Sequence, residues 1–253
     1  MSARDRLTGR NRLGVWYFTD AMTAGAAAEA AGRIESLGYS TLWVPETLGR
    51  DPFAHLAWLG SQTTTLQLAT GIAGIFNRQP GSMVQAANTV NEQTDGRLVL
   101  GLGVSHAPTV EGVRGLDYSK PLSKMRDYLE AMDNAAGMYM AVAPAEPTPR
   151  VLAALGPKML VLSAEAADGA HPYFTTPEHT AEARAAVGPD TLLCVLQKVI
   201  HSSDADAARA AANKHIHVYA KLPNYPKNWK RLGFTEDEIE QRAHRFVDHV
   251  VVW

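Results

Sequence analysis

The residue types best suited to chemistry concentrate in residues 150–174, RVLAALGPKMLVLSAEAADGAHPYF. An apolar run meets a tight Gly156-Pro157 turn, and a helical pattern with Met159, Leu162 and Ala166 on one face follows until Asp168-Gly169 breaks it. Proline at a first helical position and glycine beyond a last turn are start and stop signals for a helix. The open backbone N–H groups of Gly156, Lys158 and Met159, beside a lysine and the positive end of a helix dipole, are what a phosphate needs. A second apolar segment, 170–174, then places His171 and Tyr173 at alternate positions, so both share one side of a strand. Contact with a substrate and packing in a core are both open readings of that pair. Strand, helix and strand within 25 residues make a βαβ unit.

Other candidates are scattered. His106 follows a glycine-bearing segment and opens a long connection, 105–119, where it can bond phosphate, a ring oxygen or a backbone carbonyl. Glu46 follows the apolar run 41–44; a carboxyl in a dry pocket has its pKa raised toward neutrality and can serve as an acid, whereas helix capping is the plainer use. Trp16 lies in an aromatic segment near the N-terminus and can floor a pocket or fill a core. Cys194, the only cysteine, sits in an apolar run, which excludes a disulfide within the chain and reads as a buried thiol. No metal is indicated: His215 and His217 are two apart, His244 and His249 five apart, and neither spacing is the i, i+4 pair of a helical zinc site. Neither G-x-S-x-G nor G-x-x-x-x-G-K-[ST] occurs, and the GLG at 101–103 lacks the rest of a dinucleotide fingerprint.

These residues need a scaffold, and the chain alternates strand and helix signals throughout. Strands are predicted at 13–18, 41–44, 66–75, 98–104, 151–155, 170–174 and 192–200. Helices are predicted between them, including one opened by Asp51-Pro52, one over 121–136, one over 177–186 and one from 205 to about 222. A last helix, capped by Thr235 with an acidic first turn, is predicted to run to Trp253, with no eighth strand after it. Seven strands alternating with helices imply a parallel sheet covered by helices, as a barrel or an open doubly wound sheet. The 253 residues match one (β/α)8 barrel, and a single domain over 1–253 is expected.

Charge is nearly balanced, with 24 Lys plus Arg against 26 Asp plus Glu, so the basic footprint of a nucleic-acid binder is missing. No run approaches the ~18 apolar residues of a membrane span, and a cytoplasmic setting fits. The basic tract Lys221, Lys227, Lys230 and Arg231 reads most simply as a solvated face.

Five stretches, taken in order, resemble the luciferase-like monooxygenase family and its actinobacterial branch that uses coenzyme F420. They are LWVPET (42–47), TGIAGIFNRQP (70–80), GRLVLGLGVSHAPTVEGVRG (96–115), LAALGPKMLVLSAEAADGAHPYFTTPEHT (152–180) and LPNYPKNWKRLGF (222–234). The resemblance implies an α/β fold, the (β/α)8 TIM barrel, here without its C-terminal eighth strand. It implies a site at the C-terminal ends of the strands. The cofactor phosphate would bind at Gly156, Pro157 and Lys158, with Gly103, Val104, Ser105 and His106 as a second wall. A cis peptide bond commonly ends the third strand of relatives, and the matching bond is Gly71-Ile72, followed by Ala73. Glu46 matches a position where relatives carry a histidine or an acid near the ring, which makes Glu46 and His106 the catalytic candidates and Trp16, His171 and Tyr173 the substrate candidates. The reaction implied is hydride transfer between F420 and a small-molecule organic substrate. An FMN-dependent monooxygenase and a cofactor-binding remnant without turnover are the alternatives. The basic tract would then guide the anionic tail of F420. A barrel lacking its last strand leaves unpaired edges on the first and seventh strands, and a homodimer is expected.

Overall fold

The computed structural model describes residues 3–8 and 12–253. A short helix, α1 (Ala3–Thr8), precedes β1 (Gly14–Trp16), β2 (Thr41–Val44), β3 (Gln67–Thr70), β4 (Leu98–Gly103), β5 (Arg150–Leu152), β6 (Gly169–Ala170) and β7 (Leu192–Leu193). These strands pair in parallel in chain order, and the sheet curls. Crossovers are made by α2 (Ala24–Ser36), α3 (Pro52–Ser61), α4 (Pro80–Gln93), α5 (Pro121–Ala136), α6 (Pro157–Ala166) and α7 (Pro177–Val187), with α8 (Ala205–Tyr219) after β7. Five of these helices begin on proline, whose missing N–H costs nothing at that position. Asp51, Thr23, Thr176 and Asp204 cap their helices through side-chain oxygens, as their residue types dictate.

Alternation along the strands divides the core in two. Trp43, Ala69, Val99, Val151 and Leu192 point inward and fill the lower lumen, with Leu7 of α1 packed against them. Leu42, Leu68, Leu98, Leu100, Leu102 and Leu152 point outward against Phe53, Leu56, Leu59, Met83, Met125 and Leu129 of the surrounding helices. Gly101 is glycine because a Cβ there would stand 2.0 Å from the Thr70 carbonyl oxygen of the neighbouring strand.

The C-terminal part departs from expectation. α9 (Asn224–Arg231) occupies the basic aromatic tract, α10 (Glu236–Glu240) begins at the Thr235–Glu238 capping box, and α11 (His244–Val250) is separate from it. The predicted single helix ending at Trp253 is therefore two helices, broken at Arg242, whose φ of 52° is left-handed. An eighth strand is present as a stub: β8 (Val251–Val252) pairs in parallel with Lys198–Val199, where β7 resumes. Among the described residues β1 pairs only with β2. Tyr225, Trp229, Phe234, Phe246, Val247 and Val250 form a second core under this segment, together with Phe174 and Ile216. The strand predicted over 66–75 is interrupted at the cis Gly71-Ile72 bond and resumes at Ala73–Gly74 against β4. The connection 105–119 contains a π-helical turn, Pro108–Val113.

Glu35 ties α2 to the start of β3, its Oε1 accepting the backbone N–H groups of Thr64, Thr65 and Leu66. Burial pushes its carboxyl up, but those donors outweigh it and hold it below the ordinary glutamate value. The stability it supplies is complete above the unfolded pKa of ~4.3 and is lost as pH falls through the lowered folded value. Glu35→Gln should therefore destabilise by about 1–2 kcal/mol at pH 7, a figure kept small because the site is partly solvated. Urea unfolding of both proteins should show that gap shrinking as pH falls below ~4.3.

Candidate functional site

The turn after β5 has the features an anion needs. Gly156 is the N-cap of α6 in extended geometry, φ −90° and ψ 155°, and no side chain caps the helix. The Gly156 and Lys158 N–H groups have no partner among the described residues, while those of Met159 and Leu160 turn back onto the Gly156 carbonyl. Space beside Gly156 is open, since a Cβ there would meet nothing within 4 Å. The turn is pinned from behind: His179 of α7 donates Nε2–H to the Leu155 carbonyl at 2.8 Å. Burial keeps that imidazole below the ordinary histidine value, hence neutral.

The ends of β3 and β4 lie beside this turn. The Ile72 side chain rests on Gly101 and Gly103, and a Cβ on Gly103 would be 2.6 Å from Ile72 and 3.2 Å from Ala153. Ile72, Gly103 and the chain leading to Gly156 are thus contiguous. The Ala73 side chain is buried in the core between sheet and helices, and Val104, partly buried, packs against the same core. Ser105 adopts a left-handed φ of 56°, and its carbonyl accepts the Tyr118 hydroxyl at 3.1 Å.

Glu46 is held at both carboxylate oxygens. One carboxylate oxygen accepts from Arg78 at 2.6 Å and the other from the Gly74 N–H at 2.7 Å, with the side chain only 8% exposed. Arg78 also pairs with Asp51, and its Phe53 contact completes the clamp. Both oxygens are engaged by donors, Arg78 and the Gly74 N–H, which brace the segment after Ile72.

His171 and Tyr173 face the lumen, because each touches strands on the far side. The His171 ring stacks on Trp43 of β2 at 4.6 Å and donates Nδ1–H to the Cys194 carbonyl at 2.6 Å, while Nε2 is buried without a partner among the described residues. Tyr173 packs on Trp16 of β1 at 5.2 Å, and its hydroxyl meets that of Tyr219 at 2.6 Å. Trp16 in turn donates Nε1–H to the Gly71 carbonyl at 2.7 Å, which anchors its ring over the end of β3. His106 donates Nδ1–H to Asn224 at 3.1 Å and lies against Tyr225, so its Nε2 is left as a neutral acceptor; burial lowers its pKa. The structure therefore brings Trp16, Ile72, Gly103, His106, Gly156 and Tyr173 to one end of the sheet. Cys194 packs against the lumen layer, and burial pushes its thiol up to about 12.

Buried neutral histidines carry a pH dependence. Burial pushes His171 and His215 down to about 4, the latter helped by nearby Lys198. Each stays neutral in the fold and takes a proton when unfolded, so stability should decline as pH drops from ~6.5 toward 4. The urea midpoint should fall steadily across pH 7.5, 6 and 5; a flat midpoint would contradict the assignment.

Sequence reasoning missed Arg78, Lys198, Asn224, Tyr219 and His179. A lone lysine within the apolar run 192–200 is the one readable signal among them. The basic tract is less free than expected: Lys230 pairs with Glu236 at 2.6 Å and Arg231 with Glu182 at 2.5 Å. No helix is long and apolar enough to cross a membrane among the described residues.

The luciferase-like monooxygenase family model matches residues 8–246. A candidate coenzyme F420-dependent oxidoreductase of Mycobacterium tuberculosis is 28% identical, over 90% of this chain and 79% of the relative. Among solved structures, the coenzyme F420-dependent tetrahydromethanopterin reductase of Methanopyrus kandleri superposes with a TM-score of 0.73 at 15% identity, covering 94% of this chain and 85% of that one. An F420-dependent secondary alcohol dehydrogenase, solved with an F420-acetone adduct, gives 0.72 at 16% identity over 95% and 84%.

Proposed function

Since this chain belongs to the luciferase-like monooxygenase family, we propose that it binds coenzyme F420 at the C-terminal mouth of its barrel and works as an oxidoreductase on a small organic substrate. The observation that carries this reading is the uncapped start of α6, whose free amides at Gly156 and Lys158 lie beside the Ile72–Gly103 contact. Amides at a helix start, with a lysine that has no ion-pair partner among the described residues, suit a phosphate in charge and hydrogen-bonding capacity. When bound, the deazaflavin supplies a hydride donor or acceptor at C5.

Binding, orientation and exclusion of water fall to side chains and backbone amides. The Gly156 and Lys158 amides would hold the phosphate. Ile72, braced by Glu46 through Gly74 and Arg78, offers an apolar face against which a flat ring packs. The His106 Nε2 accepts a hydrogen bond at the mouth and stays neutral at pH 7. Trp16 and Tyr173 exclude water on the side of β1 and β6. Among the described residues β1 pairs only with β2 and the short strand 251–252 only with 198–199, and such strand edges favour pairing with a second copy.

Titration of the purified chain with F420, followed by its visible absorbance and fluorescence, tests the proposal. Saturable binding near micromolar concentrations is expected, and hydride exchange with reduced F420 separates an enzyme from a remnant. Binding of FMN with no binding of F420 would replace the cofactor; binding of neither would end the proposal.

A further inference from the structure

Lys198 stands where β7 resumes, and its ammonium lies 5.4 Å from the Trp16 ring centre and 5.8 Å from that of Tyr173. No carboxylate pairs with it, and no hydrogen bond engages its Nζ, among the described residues. A cation over two aromatic faces gains on the order of 1–2 kcal/mol, less than withdrawal from water costs, and burial accordingly lowers its pKa. The surroundings add no second positive charge. His215, which feels the ammonium, is neutral, and Tyr173 and Tyr219 form a phenol pair. Two phenols share two protons, of which one lies between their oxygens, so the other is free to donate.

We propose that Lys198 anchors the carboxylate of the substrate, which makes the substrate a flat, unsaturated or aromatic carboxylic acid. A single ammonium with one spare phenol proton matches a monoanion; a phosphate dianion would call for more donors than this corner holds. The aromatic rings of Trp16 and Tyr173 around the ammonium suit a planar body beside that carboxylate. Trp16 of β1, Tyr173 beyond β6 and Lys198 beyond β7 supply this corner, and Trp16 reaches the Gly71 carbonyl next to Ile72, so a molecule held there borders the proposed cofactor site. This inference rests on the oxidoreductase reading for its meaning as a substrate site, but not for its test.

Benzoate is the probe, with benzamide as its uncharged counterpart, and isothermal titration calorimetry reports binding. The wild-type chain should bind benzoate saturably and benzamide at least about tenfold more weakly, a difference of ~1.4 kcal/mol. Lys198→Met should lose at least tenfold in benzoate affinity, Lys198→Arg should retain it within a few-fold, and both should still bind F420. Should Lys198→Met fold poorly, NMR of wild-type chain carrying 13C-methylated lysines provides the check: one lysine should titrate below the rest and move upward with benzoate. Equal benzoate affinity in wild type and Lys198→Met, or none in wild type, overturns the proposal. Mutual exclusion of benzoate and F420 also overturns it, because the ammonium would then serve the carboxylates of the cofactor tail. Lysine-dependent benzoate binding in a chain that does not bind F420 would keep the carboxylate site and reject the cofactor reading.

Discussion

Replacing Gly156 by aspartate should weaken F420 binding at least about a hundredfold, ~2.7 kcal/mol, while raising the melting temperature. The two effects share one cause. Gly156 already has the extended backbone of a good N-cap, so an aspartate fits without rearrangement and its carboxylate accepts from the free amide of Lys158. Such a cap contributes about 1 kcal/mol, and negative charge at a helix start adds to it. The same carboxylate would fill the place proposed for the phosphate and repel it. Gly156→Ala is the control, because a methyl group meets nothing within 4 Å and leaves the amides free; it should bind F420 nearly as the parent does. Calorimetric melting and F420 titration on both variants are sufficient. An aspartate variant that melts higher yet binds unchanged would move the phosphate elsewhere.

Glu46→Ala is the second large effect, expected at about 3 kcal/mol of stability. The substitution strands Arg78 with one carboxylate instead of two and orphans the Gly74 N–H, in a site where the glutamate is almost wholly enclosed. Burial alone would make the guanidinium less basic, but Glu46 and Asp51 outweigh it, so the cation persists and its loss of a partner is costly. F420 binding should weaken alongside, since Ile72 precedes the braced segment. Glu46→Gln should recover part of the stability through its amide oxygen. Urea unfolding decides the matter: a change below about 0.5 kcal/mol would mean that the clamp is ornamental and would reopen a role for Glu46 in proton transfer.

Alternating apolar runs and capped helices locate β1 to β7 in the bare sequence because inward and outward residues differ so consistently; Trp43 faces the lumen and Leu42 the helices. The Gly156-Pro157 turn is legible because proline and glycine carry local backbone meaning. The break at Arg242 is not, since Ile239, Phe246, Val247 and Val250 enter the same core from two helices and keep one apolar spacing across the break. Nor is β8, because two valines at the end of a helical pattern read equally well as its last turn. Glu46 stands out in the sequence as a site residue, yet its bracing role does not, because its partners Gly74 and Arg78 lie 28 and 32 residues away and only the fold brings them together. Lys198 is visible as a lone lysine in an apolar run, yet its ring partners, Trp16 and Tyr173, are brought to it only by the fold.

The central claim is that an anionic end of the cofactor sits on the amides opening α6. Parallel equilibrium titrations with F420 and with its phosphate-free deazaflavin chromophore test it most directly. The account predicts that intact F420 binds at least tenfold tighter, about 1.4 kcal/mol, and that the advantage vanishes in Gly156→Asp. Equal affinity for the two molecules in the parent chain would contradict it.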